Sequence, residues 1–500
     1  MALSLLQHSF AAWQTVGMTD DAVTRNANRS TTPQNSAFHT YISGNWADTP
    51  ALDPTQREQG SWCARRRDVL SAAFEGNTVV LPAGPMISRS YDTFHPYRAH
   101  SAFSYYTGWG SDTVPDSVLV LTPNGDGHDA TVFFRFPAGR GTQEFYSNAD
   151  IGEFWVGPRP TPEHVAAELG VATRSLSDFD ELLQQADSNW VILREADVAI
   201  TTELDGRRGA GDTRDAELAQ FQSEQRLVKD EFEIAEIRRA IAATAQGFDD
   251  VLSSIGEVRA HPRGERLIEG TFNRRARADG NFVGYETIAA AGANACYLHW
   301  TRNDGPVRDG DLVLMDAGVE VESLYTADIT RTFPVSGTFS ETQRLVYEAV
   351  REAADAAFSI VKPGIIFRDV HAAAMAVIAR HVAEWGFLPV TLAESLGDEG
   401  QHHRRYMIHG TSHHLGLDVH DCPQARREFY KDGVVLEGMV FTIEPGLYFQ
   451  IDDLTVPEHF RGIGVRIEDN ILVTANGAEN MSSSIPRTAD AVEAWVTRLS

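Results

Sequence analysis

Cysteine is close to missing from this chain. Only Cys63, Cys296 and Cys422 occur in 500 residues, far apart and without a CxxC pair. That excludes a disulfide framework and a thiolate zinc site, and it fits a reducing compartment. Long apolar runs are missing as well: nothing approaches the roughly 18 consecutive apolar residues of a membrane-spanning helix. The stretch MALSLLQHSFAAW has neither a basic start nor a long apolar run, so no secretory leader is expected and a cytoplasmic location is. Cations are outnumbered, 43 Lys and Arg against 70 Asp and Glu, for a formal charge of -27. A surface of that sign repels phosphate backbones, so neither a nucleic acid nor a membrane is expected as a partner.

What is present is a long chain with 42% hydrophobic residues, more than one core usually spans, so two domains are expected. Residues 1–55 are rich in Thr, Asn, Ser and Pro without a sustained period. They read as an extension that drapes over the surface or stays mobile. Residues 56–205 read as a smaller mixed α/β domain. In it WCARRRDVL starts a helix, and NTVVLPAG, SAFSYYTG, SVLVLTP and DATVFFR read as strands. PEHVAAELG and FDELLQQA then read as helices, and WVILREADVAI as strand. Polar, glycine-rich residues 202–214 mark an exposed connection, and 206–222 is the expected linker.

The period changes in the second domain, 223–500. Ile234, Ile237, Ile241, Phe248 and Val251 fall at helical spacing behind a capping box of Asp230 and Glu233. A second helix is expected from Ser340, with Gln343 three residues on, to Pro363 and Gly364, and a third from Phe367 to Trp385. Strands are expected at 310–317, 327–333, 439–444 and 462–473. Their hairpin-like neighbours argue for an antiparallel sheet.

The chemistry concentrates between His409 and Glu468, in MIHGTSHHLGLDVHDCP, MVFTIEPGLY and GIGVRIEDNILV, joined by LVLMDAG and TADITRTF upstream. A hairpin would bring Asp316 and Asp328 side by side, and two adjacent carboxylates demand a metal or a shared proton. Taken by themselves they have a lesser alternative reading as solvated strand ends. His409, His413 and His420 stand among glycines that let the backbone approach a bound group. Each alone reads as an ordinary hydrogen-bonded histidine. Glu444 ends the buried-looking strand MVFTIE, where an unpaired carboxylate is costly. Arg466 and Glu468 are two apart and should face one side of their strand, the arginine orienting the carboxylate. Four carboxylates and one imidazole suffice for two divalent ions, the clamp of metal-assisted hydrolysis.

With these motifs the chain resembles the Xaa-Pro aminopeptidases (aminopeptidase P) of the proline-peptidase and methionine-aminopeptidase superfamily. The likeness runs from about 60 to 490 and includes RRRDVL, the SAFSYYTG run and CYLHW. It implies a C-terminal pita-bread fold behind a smaller α/β domain. It also implies metal ligands at Asp316, Asp328, His413, Glu444 and Glu468, holding two ions, Mn(2+) in the first place and Zn(2+) as an alternative. His299 resembles the histidine near the leaving peptide, His409 a pocket-lining histidine, and His420 a donor to the scissile carbonyl or its oxyanion. Arg466 resembles the arginine that supports the last glutamate, and Glu444 a proton shuttle. The implied reaction is attack by a hydroxide shared between the ions on the bond before a penultimate proline. Prolidase, acting on Xaa-Pro dipeptides with the same ligands, is the alternative, and a homodimer or homotetramer is implied. Tyr105, Tyr106 and Trp109 could serve an interface or a core. Two departures stand out. Asp316 and Asp328 are one residue further apart than in the family, and His414 stands where an aromatic residue is usual.

Overall fold

An unbroken apolar run, unlike an alternating one, belongs to a strand covered on both faces, and VVLP within Thr78–Pro82 is buried at every position. That strand lies inside the five-stranded sheet of the first unit, whose order is Ala172–Ser175, His128–Phe134, Val118–Pro123, Thr78–Pro82, Trp190–Ile192. Thr78–Pro82 runs antiparallel to Val118–Pro123 and parallel to Trp190–Ile192. Val80, Val120, Phe133 and Ile192 from the sheet pack with Phe179, Leu183 and Leu204 from the helices Leu176–Leu183 and Val198–Arg208. The computed structural model describes residues 31–33, 35–47, 54–125, 127–209 and 214–500. The chain divides into two units, Met1–Thr213 and Arg214–Ser500.

Several expectations for this unit are corrected. SAFSYYTG is a helix, Ser101–Thr107, not a strand, and all seven of its residues are buried. Its aromatic residues favour strand by propensity, but its ends are held by the flanking His100 and Gly108 and by two arginines elsewhere in the chain. The His100 side chain accepts from Ala102 N–H, Gly108 closes the helix in the left-handed region, and Arg66 and Arg67 donate to the carbonyls of Tyr105 and Tyr106. Tyr105, Tyr106 and Trp109 are core residues of the unit. Most of the N-terminal extension lies outside the described residues. Within it, Ser36–Ser43 is a helix capped by Asn35, and Phe38 packs edge-on against Tyr146. The polar stretch expected as a connection is largely helical too, in Val198–Arg208 and Asp215–Gln225.

In the second unit the expected capping boxes are formed. Asp230 and Glu233 start Glu231–Ser253, and Ser340 and Gln343 start Glu341–Ile360. Both helices bury one stripe, which includes Ile237, Ile241, Phe248 and Val251 in the first and Val346, Val350 and Ala354 in the second. The third helix is Phe367–Glu384. Leu312–Ala317 is the middle strand of an antiparallel three-stranded sheet between Ile329–Pro334 and Ile288–Ala291. A second antiparallel sheet is Val440–Ile443, Asp469–Thr474 and Gly477–Asn480, beside the pair Gly446–Tyr448 and Gly464–Arg466. The strand expected over 462–473 is therefore two strands in different sheets. It breaks at Ile467 and Glu468, whose N–H groups donate to Pro445 and Thr330 carbonyls.

The extra residue between the aspartates leaves the hairpin register intact, from Leu312↔Pro334 to Ala317↔Ile329. The connection closes in a turn where the Val321 N–H donates to the Tyr325 carbonyl and Leu324 takes φ +72° with its side chain fully buried. A longer turn is tolerated, whereas a one-residue slip in the strand would turn Asp316 away.

Candidate active site

Register places Asp316 opposite Thr330, so Asp328, two residues before Thr330, arrives beside it. The hydroxyl of Tyr285 lies between them, 2.6 Å from Asp316 Oδ1 and 2.5 Å from Asp328 Oδ1. From the other sheet, Glu468 follows the strand break, and its Oε2 accepts from Thr330 Oγ1 at 2.7 Å. His413 is set by Thr442, whose Oγ1 accepts from the His413 N–H. Its Nε2 stands 3.2 Å from Asp328 and 3.6 Å from Glu444. Tyr285, Asp316, Asp328, His413, Glu444 and Glu468 line a cavity of about 720 Å³ together with His299, His409, His420, Arg466, Ile288 and Leu298. All nine site residues expected from the sequence thus reach one cavity. The tightest group is Asp328, His413 and Glu468, each with a ligand atom within 4.8 Å of the others.

Arg466 departs from expectation. Its Nη2 donates to Asp316 Oδ2 at 2.5 Å, its Nη1 to Tyr448 Oη and its Nε to Thr330 Oγ1. It reaches Glu468 only through the Thr330 hydroxyl, because the strand break between them cancels the parallel projection of alternate residues. His414 does not line the cavity. It is fully buried, stacked on Phe367 with ring centroids 4.6 Å apart and edge-on to Tyr430. Sequence reasoning passed over Tyr285, Thr330 and Tyr448. Tyr285 precedes a buried strand and carried no signal apart from its phenol.

The protein compensates the carboxylates of the site only in part, through Arg466 at Asp316 and through His413 beside Asp328 and Glu444. Burial and the neighbouring carboxylates hold Glu468 well above the usual carboxylate range, and burial raises Asp328. Burial likewise pushes Glu444 up to about 7, against the pull of His413 and Arg466. His413 is raised as well, to about 9, against the burial that disfavours its cation, because Asp328 and Glu444 outweigh it. Burial pushes His409 down to about 3 and His420 down to about 4. Among the described residues Glu468 Oε1 is buried with no hydrogen-bond partner. An orphaned carboxylate oxygen amid other carboxylates and an imidazole fits a divalent cation, which such hard oxygen and nitrogen donors bind.

Residues 235–475 match the model of metallopeptidase family M24, and residues 63–191 match that of the aminopeptidase P N-terminal domain. Xaa-Pro aminopeptidase 1 of Streptomyces coelicolor is 47% identical over 460 residues, 92% of this chain and 91% of the relative. The chain belongs to the Xaa-Pro aminopeptidase group of metallopeptidase family M24. Solved structures of the family agree in fold. The Pseudomonas aeruginosa aminopeptidase PepP superposes with a TM-score of 0.75 at 31% identity, covering 89% of this chain and 99% of that one. Aminopeptidase P from Escherichia coli with the inhibitor Pro-Leu gives 0.75 at 30% identity, with the same coverages of 89% and 99%. The chain therefore has the family's N-terminal α/β domain and pita-bread metallopeptidase domain, and it is a hydrolase with a divalent-metal site at the Asp, His and Glu cluster.

Proposed function

We propose that this chain removes the first residue from peptides whose second residue is proline. The observation that carries the reading is the convergence of four carboxylates, His413 and three further histidines on one cavity with an apolar wall at Ile288 and Leu298. Asp316, Asp328, His413, Glu444 and Glu468 would hold two divalent ions, Mn(2+) by the hardness of the oxygen donors, with Zn(2+) able to replace it. When bound, the ions supply Lewis acidity toward water and toward the scissile carbonyl. The remaining work falls to the protein. Glu444 takes a proton and delivers it to the proline nitrogen, and His420 donates to the carbonyl oxygen where negative charge develops. A proline nitrogen in a peptide bond has no N–H, so its ring needs only the apolar wall. His409, whose Nε2 is 2.7 Å from the Tyr448 hydroxyl, and His299 line the side toward the leaving peptide. Arg466 fixes Asp316 from behind.

The reading extends to a cytoplasmic homodimer or homotetramer built of a 56–205 domain, a 206–222 connection and a 223–500 catalytic domain. Among the described residues no helix is long and apolar enough to cross a membrane. Metal-stripped protein reconstituted with Mn(2+) is offered Xaa-Pro-Yaa tripeptides and Xaa-Pro dipeptides. Cleavage of the tripeptides before proline is the expected result. Activity confined to dipeptides moves the assignment to prolidase, and no activity on either removes it. A stable monomer in sizing measurements at working concentration removes the oligomer.

A further inference from the structure

Behind the cavity wall, the segment leading into Glu231–Ser253 carries two cations that the chemistry above does not use. Arg226 and Lys229 are buried, and so is Asp421. Lys229 Nζ donates to Asp421 Oδ2 at 2.9 Å and to the Arg226 carbonyl at 2.6 Å. Arg226 Nη1 lies 3.3 Å from Asp421 Oδ1 and 3.2 Å from Asp418 Oδ2. The segment itself is pinned to the sheet. Lys229 N–H donates to the Gly438 carbonyl, and Val228 bridges to Met439 at the entry to Val440–Ile443.

The anion side of this cluster belongs to the histidine loop. Asp421 follows His420 directly, and its N–H donates to the His414 carbonyl at 2.9 Å. The same carbonyl lies 3.2 Å from His413 Nδ1. An Nδ1–H donated there leaves Nε2 as the nitrogen turned toward Asp328 and Glu444. Gly416 passes over the ion pair so closely that a Cβ would sit 2.4 Å from Asp421 Oδ2 and 3.0 Å from Lys229 Cε. Its carbonyl accepts from Thr326 N–H at 3.0 Å, two residues before Asp328.

Burying three ionised groups is expensive, and a well-packed apolar set often holds a loop as firmly. Geometry at His413 gives the ions a purpose that stability does not. We propose that Lys229, assisted by Arg226, is a positioning residue for His413 and His420. Through Asp421 it fixes the His414 carbonyl, which selects the His413 tautomer and ring orientation and holds His420 across from it, with ring centroids 4.4 Å apart. The proposal rests on the metallopeptidase reading of the cavity.

The test compares the full-length wild type with Lys229→Met and with the double variant Lys229→Met, Asp421→Asn, which removes one charge of each sign, leaves Arg226 paired with Asp418, and so guards against a single variant that fails to fold. Each is stripped of metal and titrated calorimetrically with Mn(2+), and kcat and KM are measured on an Xaa-Pro-Yaa tripeptide at saturating Mn(2+). The double variant is expected to retain its circular dichroism, to bind Mn(2+) about 10- to 100-fold more weakly, as loss of a group orienting a ligand does, and to lose kcat more than KM. Mn(2+) affinity and kcat both within twofold of wild type, whatever the thermal stability, overturn the proposal. If the wild type leaves the tripeptide intact, the proposed function fails, while the affinity comparison still decides the role of Lys229.

Discussion

Replacing His414 by phenylalanine should stabilise the protein, and the gain should grow in acid. The imidazole is fully buried, stacked on Phe367 and edge-on to Tyr430, and neither ring nitrogen has a hydrogen-bond partner among the described residues. Burial, helped by the charge of Lys229, pushes its pKa from 6.5 down to about 3. His414→Phe keeps the ring contacts and removes unpaired polar atoms, whose burial costs about 1–3 kcal/mol. The sign in acid follows from linkage. Unfolded, the ring takes a proton below its ordinary value of 6.5; folded, it stays neutral down to about 3. Stability at this position is therefore complete above the unfolded value and is lost as the pH falls toward the folded one. Each pH unit inside that window costs about 1.4 kcal/mol, so the advantage of the variant widens by about 2 kcal/mol between pH 8 and pH 5. Any overpacking by the larger phenyl ring is equal at both pH values and cancels in the difference. Urea midpoints and slopes of the two proteins at both pH values measure it. A gap that does not widen in acid would refute the reasoning.

Glu444→Gln should retain bound metal, measured by elemental analysis, and lose hydrolysis by about 100- to 10,000-fold, the usual worth of a positioned acid–base group; full activity would remove Glu444 from that role. Arg331 is fully buried and donates to Asp469 and to the carbonyls of Thr330, Glu468, Ile485 and Pro486. Arg331→Met should destabilise by about 3–5 kcal/mol, because Asp469 loses a buried partner; an unchanged denaturation midpoint would contradict this. Mn(2+) binding to the stripped protein at pH 6 should release protons. Glu444, raised to about 7 by burial, and His413, raised to about 9 beside Asp328 and Glu444, hold protons at that pH that the ion must displace. Calorimetry in buffers of different ionisation enthalpy would show it, and affinity should rise with pH.

Local signals survived into the structure wherever a few neighbouring residues decide the outcome. The capping boxes at Asp230 and Ser340 need only a side chain and a backbone three residues away, and both are formed. The misreading of SAFSYYTG shows the opposite case. Its helix is closed by Arg66 and Arg67 from Gly60–Ala73, a contact across 39 residues of sequence that no window on the segment contains. The break at Ile467 and Glu468 is similar, since Pro445 and Thr330 supply the acceptors. Lys229 carried no signal in the sequence because a lone lysine reads as solvated until its aspartate, 192 residues on, is brought against it.

The sequence by itself determined the kinds of group in the site and their order along the chain: two aspartates on a hairpin, histidines among glycines, and glutamates at strand ends. It did so because such donors are scarce in apolar segments and stand out there. Tertiary structure decided which groups face one another. Arg466 turned to Asp316, Tyr285 stands between the two aspartates, and His414 went behind the wall instead of into the cavity. Those choices follow from strand register, a strand break and burial, which depend on contacts between segments from 31 to 150 residues apart.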